Sequence, residues 1–435
     1  SWTGITMTTA LNAIAFKART HAKHRFQNLY GQLASDALYR AWGNLNKQSA
    51  AGIDGVMASG FERRLSDNIR TLAHQLKSGT FRVSDVKRVY IPKANGKERP
   101  LGLPTVADKV VQQSVSDLLQ SIWEQDFLPN SYGYRPHKSA HQAVHSLQLN
   151  LQFKGYGYIV EADIKGFFDN MDHGWLMRML KQRIDDKRLL NLINQWLKAR
   201  IKEPDGRYQK PVSGTPQGGV ISPVLANIYL HYALDLWFEK KIKPKCEGRA
   251  MLIRYADDFV VAFQYWQEAR DFYEQLTPRL KHFSLEVAPE KTSIKRFSRF
   301  HPGQQRHFEF LGFRFYWETD FKGEPRLRRK TAPKKHKTAL QSFYQWIKDN
   351  RHRRLDRWMP ELKRKVVGFR NYFGLPDNSL SVGRIYDHIL RSLYIWLNRR
   401  SGRKSYTWSG MKEMLRYFGI QPMRVNKRFI AVDWY

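Results

Sequence analysis

Hydrophobic and polar positions follow two periods along the chain, and each period predicts a kind of element. Alternation with a period of two predicts a strand, a turn and a second strand, over residues 86–93, 94–97 and 98–104. Apolar positions at helical spacing predict helices up to about Ser78, interrupted by a glycine-bounded turn at 51–56, and again over 108–125 and 139–152. Because strands and helices alternate without regular βαβ spacing, the pattern predicts an α+β fold.

Two apolar runs end in acidic residues. Residues 249–263 contain two β-prone runs on either side of Asp257-Asp258, which predicts a hairpin of buried strands with the acids at its tip. An ordinary solvated Asp-Asp turn is the alternative for this segment alone. Asp163 likewise follows an apolar strand at 156–162 and precedes a turn and an aromatic pair.

Three carboxylates would converge if these strands are neighbours. Unpaired buried anions cost several kcal/mol or more, and divalent cations remove that cost. Mg²⁺ takes carboxylate oxygens and keeps water for substrate phosphates, so the pattern predicts a site for two Mg²⁺ ions, with Mn²⁺ as a substitute. Asp169 and Asp172 are interpreted as turn and helix-cap residues.

A glycine-rich stretch at residues 213–219 precedes an apolar helix that opens with Ser222-Pro223. Glycines allow the backbone to approach a nucleotide closely, although most such loops are only tight turns.

Charge and composition narrow the function. The 435 residues include 74 Lys and Arg against 39 Asp and Glu, a net charge of +35 that attracts polyanions. A 42% apolar content supports a sizeable core. The sequence contains no run of about 18 apolar residues and no secretory pattern at its start, so it does not predict a membrane protein. The single cysteine, Cys246, excludes a disulfide framework and a Cys-x-x-Cys zinc module, and favours a reducing, cytoplasmic location.

Positive charge is concentrated after residue 320. Residues 321–435 contain 28 basic and eight acidic residues, against 46 and 31 in the first 320. Apolar residues at helical spacing predict helices here, and basic residues between aromatic ones favour a surface that binds a phosphate backbone. A solvated helical bundle is the alternative. The aromatic residues concerned are Trp346, Trp358, Phe369, Tyr372, Phe373 and Trp396.

Taken in order, eight segments resemble the conserved blocks of bacterial group II intron reverse transcriptases/maturases. The similarity covers roughly residues 20–400, and residues 367–374 resemble the thumb/maturase segment of the same family. The segments are Gly-Ile-Asp-Gly at 52–55, Ile-Pro-Lys at 91–93 with Arg-Pro-Leu-Gly at 99–102, Ser-Tyr-Gly-Tyr-Arg-Pro at 131–136, Ala-Asp-Ile-Lys-Gly-Phe-Phe-Asp at 162–169, Gly-Thr-Pro-Gln-Gly-Gly at 214–219, Tyr-Ala-Asp-Asp at 255–258, Glu-Lys-Thr at 290–292 and Phe-Leu-Gly-Phe at 310–313.

The resemblance implies roles for single residues. Asp163, Asp257 and Asp258 match the catalytic, metal-binding aspartates. Phe168 matches an aromatic gate against a ribose 2′-OH, whereas Phe167 is expected in the core. The remaining nucleotide-binding matches are Lys93, Arg99, Gln217 and Lys291, and the template or primer matches are Arg135, Gly218 and Tyr255. A solvated side chain is the alternative for Lys291. Arg135 is a candidate for a template or nucleotide contact, and the absence of such a contact is the alternative.

The resemblance also implies an architecture and partners. It predicts a right-hand polymerase with an N-terminal helical extension at 1–60, fingers and an antiparallel palm sheet at 61–320, a basic helical thumb/maturase domain at 321–400 and a basic segment at 401–435. The implied partners are an RNA template, with group II intron RNA as a candidate, a DNA primer or target, and dNTPs. The protein is expected in the bacterial cytoplasm, as a monomer or a homodimer.

Three functions remain open at this level. The first is an RNA-directed DNA polymerase that also binds intron RNA and promotes splicing. The second is a free-standing relative retained for phage defence or DNA repair, prompted by the expectation that no cysteine-rich endonuclease module follows the thumb. The third is a non-catalytic RNA-binding splicing factor, which would have no use for the three aspartates.

Overall fold

The computed structural model describes residues 9–92, 96, 98–215, 217–400 and 405–425. It divides into two compact units, Ser1–Leu147 with Tyr156–Ile294, and Gln148–Gly155 with Lys295–Tyr435. Helices alternate along the chain with strands that pair mainly antiparallel, so the predicted α+β class is confirmed. Among the residues described, no helix is both long and apolar enough to cross a membrane.

The helices that begin at Val106, His173 and Lys187 have side-chain caps. The side chains of Thr105, Asp172 and Asp186 accept hydrogen bonds from backbone N–H groups in their first turns. The helices are α1 Thr9–Thr20, α2 Ser35–Asn44, α3 Ala58–Glu62, α4 Leu65–Ser78, α5 Val106–Trp123, α7 Phe167–Asn170, α8 His173–Leu180, α9 Lys187–Leu197, α10 Ser222–Leu230 and α11 Trp266–His282, while α6 Ala140–Phe153 spans both units.

Helix α5 is buried on almost every side, although it carries several polar residues. Helices α1 and α2 pack against it, and Val110, Val115 and Leu119 belong to the large core of the first unit. Gly52 in the turn before α3 touches the start of α5, where a Cβ atom would lie 2.6 Å from the backbone of Thr105. The predicted glycine-bounded turn therefore brings the chain against the α5 cap.

The strands of the described residues are β1 Val86–Pro92, β2 Glu98–Leu103, β3 Tyr158–Ala162, β4 Ile164–Lys165, β5 Ile201–Lys202, β6 Tyr208–Gln209, β7 Ala250–Tyr255, β8 Asp258–Phe263, β9 Glu286–Val287, β10 Ser293–Arg296, β11 Gly303–Phe310, β12 Phe313–Thr319 and β13 Pro325–Thr331. Within this part of the chain they form two four-stranded sheets and two smaller ones, with orders β2-β1-β5-β6, β10-β3-β8-β7, β11-β12-β13 and β4-β9. Strands β1 and β2 pair antiparallel, as the alternation predicted, while residues 94, 95 and 97 of the predicted turn lie outside the described residues.

Strand β8 is the central strand that carries the acidic tip. All its residues after Asp258 are buried, as expected for a strand covered on both faces, and it pairs antiparallel with β3 and β7. The predicted hairpin with Asp257-Asp258 at its tip is confirmed.

In its described residues, the second unit combines the β11-β12-β13 sheet with the helices α12 Pro333–Asn350, α13 Leu355–Phe373, α14 Ser379–Leu397 and α15 Trp408–Tyr417. The helices share a core that includes Trp358, Ile389 and Met411. The predicted boundary at residue 320 falls in the turn between β12 and β13, which pair from Phe313 with Thr331 to Thr319 with Pro325. The functional division into fingers, palm and thumb stays a prediction.

Candidate active site

The Asp257-Asp258 tip is a tight and strained turn. Tyr255 pairs with Asp258, so the turn consists of Ala256 and Asp257 alone. Ala256 adopts a positive φ of 56°, a conformation that a residue with a Cβ atom rarely takes and that costs of order 1 kcal/mol or more. The carboxylates at the tip are therefore held in a conformation that the surrounding structure must enforce.

A buried charge cluster enforces this turn. Arg254 is 0% exposed and donates to both carboxylate oxygens of Asp235, at 2.8 and 2.6 Å. Its Nη1 donates to the carbonyl of Ala256 at 2.9 Å and to the side chain of Asn227 at 3.0 Å. Gly133 also packs against the turn, and a Cβ atom there would overlap the backbone nitrogen of Ala256.

Asp163 lies beside this turn. It follows β3, in which Ala162 pairs with Phe259, so the antiparallel register brings Asp163 next to Asp258 at the same end of the sheet. Its carboxylate is partly exposed and forms an ion pair with the ammonium group of Lys291. The register thus places Asp163 beside the acidic turn, where Lys291 contacts it, while the shared metal-binding role of the three aspartates stays a prediction.

The electrostatics of the site reflect crowded negative charge. Burial raises the pKa of Asp257, and the neighbouring charge of Asp163 raises it further, while Arg99 and Arg254 oppose the shift. The hydrogen bond with Asp163 raises the pKa of Lys291. A positive charge would therefore stabilise the carboxylates of the site, and in this structure Lys291 supplies one beside Asp163.

A divalent cation is the other group that could supply this charge. The oxygen donors are of the kind that Mg²⁺ prefers. Within the part of the chain that the structure describes, however, no three His, Cys, Asp or Glu side chains stand close enough together to hold a metal ion. Ion binding would require Asp163 to exchange its contact with Lys291.

Two of the predicted nucleotide-binding residues, Arg99 and Gln217, form a second cluster. Arg99 on β2 donates through Nε to the side-chain oxygen of Gln217 at 2.9 Å. The amide nitrogen of Gln217 donates to both carboxylate oxygens of Asp169, at 3.1 Å each. Gly218 has a φ of 115°, and a Cβ atom there would lie 2.8 Å from the carbonyl oxygen of Gly102, which explains the glycine.

The aromatic pair after Asp163 separates as expected. Phe167 is 1% exposed and lies in the core, which confirms its prediction, whereas Phe168 is only half-buried. Their rings meet edge to face at 5.4 Å. Tyr255 is half-buried at the base of the acidic turn. Lys93 lies outside the described residues.

Arg135 does not join either cluster. Its side chain is 6% exposed, forms a bidentate pair with Glu124, and donates to the carbonyls of Leu128 and Ser131 at 2.7 and 2.8 Å. A guanidinium held in this way favours a structural role over the predicted template or nucleotide contact, which remains untested.

Comparison with known proteins settles the family. The model of the family described as "Reverse transcriptase (RNA-dependent DNA polymerase)" matches residues 91–315, just over half of the chain. The chain belongs to the reverse transcriptase family. This result confirms the resemblance drawn from the eight segments, and the matched region contains Asp163, Asp257 and Asp258.

Among the relatives with similar sequences are three proteins, and the names of two of them refer to an intron. Group II intron-encoded protein LtrA of Lactococcus lactis subsp. cremoris is 39% identical over 235 residues, 54% of this chain and 39% of the relative. Protein YkfC of Escherichia coli (strain K12) is 34% identical over 238 residues, 48% of this chain and 62% of the relative. An uncharacterized 91 kDa protein in the cob intron of Schizosaccharomyces pombe is 29% identical over 322 residues, 62% of this chain and 39% of the relative. The chain spans less than two thirds of the length of each.

Sequence reasoning missed two features of the site. Asp169 was interpreted as a turn residue, but its side chain binds the amide of Gln217, whereas Asp172 caps α8 as expected. The Arg254–Asp235 pair was not predicted. Its one signal was a charged residue inside an otherwise apolar strand, which in a buried strand requires a partner.

Proposed function

We propose that the protein is an RNA-directed DNA polymerase that extends a primer with dNTPs on an RNA template. The observation that supports it best is the convergence of Asp163, Asp257 and Asp258 at one end of the β10-β3-β8-β7 sheet, next to the Arg99–Gln217 cluster. In this proposal that sheet is the palm, the β2-β1-β5-β6 sheet belongs to the fingers, and the basic helices α12 to α14 form the thumb.

Each residue has a chemical task in the proposed reaction. Asp163, Asp257 and Asp258 would hold two Mg²⁺ ions, which when bound lower the pKa of the primer 3′-hydroxyl and offset the charge of the triphosphate. Arg99 would bind the triphosphate, because a planar guanidinium matches phosphate oxygens in pairs. Phe168 would crowd a ribose 2′-OH. The primer 3′ oxygen attacks the α-phosphorus, and pyrophosphate leaves.

The test is primer extension on an RNA template by the wild-type protein and by Asp257→Asn/Asp258→Asn. We expect the wild type to extend the primer and the double variant to lose at least about 10³-fold in rate, since it removes charge where the transition state needs it. Asp271→Asn on the exposed face of α11 is the matched control and should retain wild-type activity. A wild-type protein without activity, or a fully active double variant, refutes the proposal.

Binding of intron RNA is a second function that we propose for the same chain. Around Trp396 in the second unit, three cations lie over the indole ring, with Lys348, Arg351 and Arg399 at 5.4, 5.0 and 5.7 Å from its centroid. An aromatic platform among cations suits a phosphate backbone with unstacked bases. The names of the intron-encoded relatives favour intron RNA as the ligand.

RNA binding can be measured with the transcript of the DNA that flanks the gene, against shuffled RNA of equal length. The logarithm of the RNA association constant falls as the logarithm of the salt concentration rises. Replacing Lys348, Arg351 and Arg399 by glutamine should make this dependence less steep, by about two to three in the slope, because each phosphate contact releases a counterion. The control replaces Lys243, Arg270 and Lys281 of the first unit, which removes the same charge. Equal affinity for both RNAs contradicts intron recognition.

A further inference from the structure

The side-chain amide of Gln217 lies between two ionic groups with opposite requirements. Arg99 can only donate hydrogen bonds, and its Nε reaches the amide oxygen at 2.9 Å. The carboxylate of Asp169 can only accept them, and both its oxygens lie 3.1 Å from the amide nitrogen. The two neighbours together fix which end of the amide faces Arg99, an orientation that a glutamine alone leaves undetermined.

The loop that carries Gln217 is held without the Asp169 carboxylate. The backbone N–H groups of Gly214 and Thr215 donate to the carbonyls of Met171 and Phe168, at 2.7 and 2.8 Å. The carbonyl of Gln217 accepts from the N–H of Gly102 at 2.7 Å. Main-chain bonds therefore hold Gly214, Thr215 and Gln217 in place, and the carboxylate of Asp169 is left to orient the amide.

We propose that Asp169 is a positioning residue for the incoming nucleotide, which acts by holding the Gln217 amide oxygen toward Arg99. A guanidinium bound through Nε keeps the donors of its two terminal nitrogens for phosphate oxygens. If the amide turned over, two donors would face each other and Arg99 would lose this support. The inference rests on the proposed polymerase function, since the nucleotide is the ligand that Arg99 and Gln217 would share.

Asp169→Asn is the sharpest perturbation because it keeps the size of the side chain. An asparagine offers both a donor and an acceptor, so it is compatible with either orientation of the amide. Single-nucleotide extension on an RNA template is measured for the wild type, Asp169→Asn, Gln217→Ala and the double variant. We expect Asp169→Asn to raise the KM for the dNTP about three- to tenfold, with kcat changed by less than about twofold.

The double variant separates positioning from general support. If Asp169 acts through Gln217, the asparagine has no further effect on KM once Gln217 is alanine. Selectivity for dNTP over rNTP should stay at the wild-type value, because the main-chain bond from Thr215 holds the Phe168 turn in every variant. Asp172→Asn is the matched control in the same turn, and since asparagine is an equally good cap, it should behave as wild type.

Each result bears on the inference in one direction. An unchanged KM in Asp169→Asn overturns it, and so does an equal rise of KM in the wild-type and Gln217→Ala backgrounds. Loss of sugar selectivity together with the rise in KM would make Asp169 a support of the whole turn, which also overturns it. A wild-type protein that extends no primer removes the proposed function and this inference together, so the two failures are distinguishable.

Discussion

Replacing Arg254 tests whether the buried cluster holds the acidic hairpin. Arg254 and Asp235 are both 0% exposed, so Arg254→Met leaves a carboxylate inside the protein without its partner. Breaking a buried pair in this way costs about 3 to 5 kcal/mol. Arg254→Met should therefore destabilise strands β7 and β8 by roughly 4 kcal/mol.

The double variant Arg254→Met/Asp235→Leu should be less damaging than the single change. It removes both charges, and well-packed apolar residues often replace a buried pair at little cost. The carbonyl of Ala256 still loses the hydrogen bond from Arg254, and an unsatisfied buried carbonyl costs about 1 to 3 kcal/mol. We therefore expect the double variant to lie between the single variant and the wild type.

Hydrogen exchange measured by mass spectrometry on peptides from β7 and β8 reports this free energy locally. A loss of 4 kcal/mol predicts exchange faster by roughly 10³-fold, at about 1.4 kcal/mol for each factor of ten. Arg270→Met is the matched control. Its pair with Glu274 is of similar length, 2.9 Å, but more than half exposed, so about 0.5 kcal/mol or less is expected. A loss below about 1 kcal/mol in Arg254→Met, or a double variant as unstable as the single one, would refute the reasoning.

Three further predictions follow from single residues. Gly133→Ala should displace the backbone of Ala256 and reduce primer extension. The control is Gly43→Ala on α2, which has nothing within 4 Å of its Cβ position; it should retain wild-type extension and gain up to about 1 kcal/mol of stability. Equal primer extension by the two variants would contradict the predicted effect of Gly133→Ala. Burial raises the pKa of Asp117 to about 6. The stabilising contribution of its protonated carboxyl is therefore complete below 3.8, its pKa in the unfolded chain, and is lost as the pH rises through 6. Asp117→Asn should then exceed wild type in urea stability at pH 7.5 by up to about 3 kcal/mol but not at pH 4, and a constant difference would contradict this. Burial raises the pKa of Cys246 to about 11, so its alkylation by iodoacetamide at pH 8 should be at least about tenfold slower in the folded than in the unfolded protein, as followed by mass spectrometry, and equal rates would disprove it.

The parts of the fold that sequence predicted are those in which local pattern and environment agree. The β1-β2 hairpin follows simple alternation, and α5 and α6 begin within two residues of their predicted starts. The β12-β13 pair was missed for a physical reason. Residues 326–330 contain four basic residues and one leucine, a pattern typical of a solvated segment. Leu327 and Arg329 nevertheless face inward, and Arg329 is paired with Asp377, 48 residues further along.

Arg135 shows the same difficulty at the candidate site. An arginine inside a segment that resembles a block of the family suggests contact with a ligand, because most arginines are exposed. Here the guanidinium is buried and bound to Glu124 and two carbonyls. The pairing with Glu124 cannot be predicted from residues 131–136, because Glu124 lies at the end of a helix that the sequence indicates only by its pattern of apolar residues.

The aspartates of the site show where sequence reasoning reaches its limit. Asp172 accepts from a backbone N–H three residues later, so its role as a cap could be read from the chain alone. Asp169 lies three residues before it, but its partner Gln217 is 48 residues away, and Asp163 meets Lys291 across 128 residues. The same side chain is thus a cap, a positioning group or a candidate metal ligand according to what the fold brings against it. Roles with a partner within one helical turn can be predicted from spacing, whereas those with distant partners require the sheet register that places Asp163 beside Asp258.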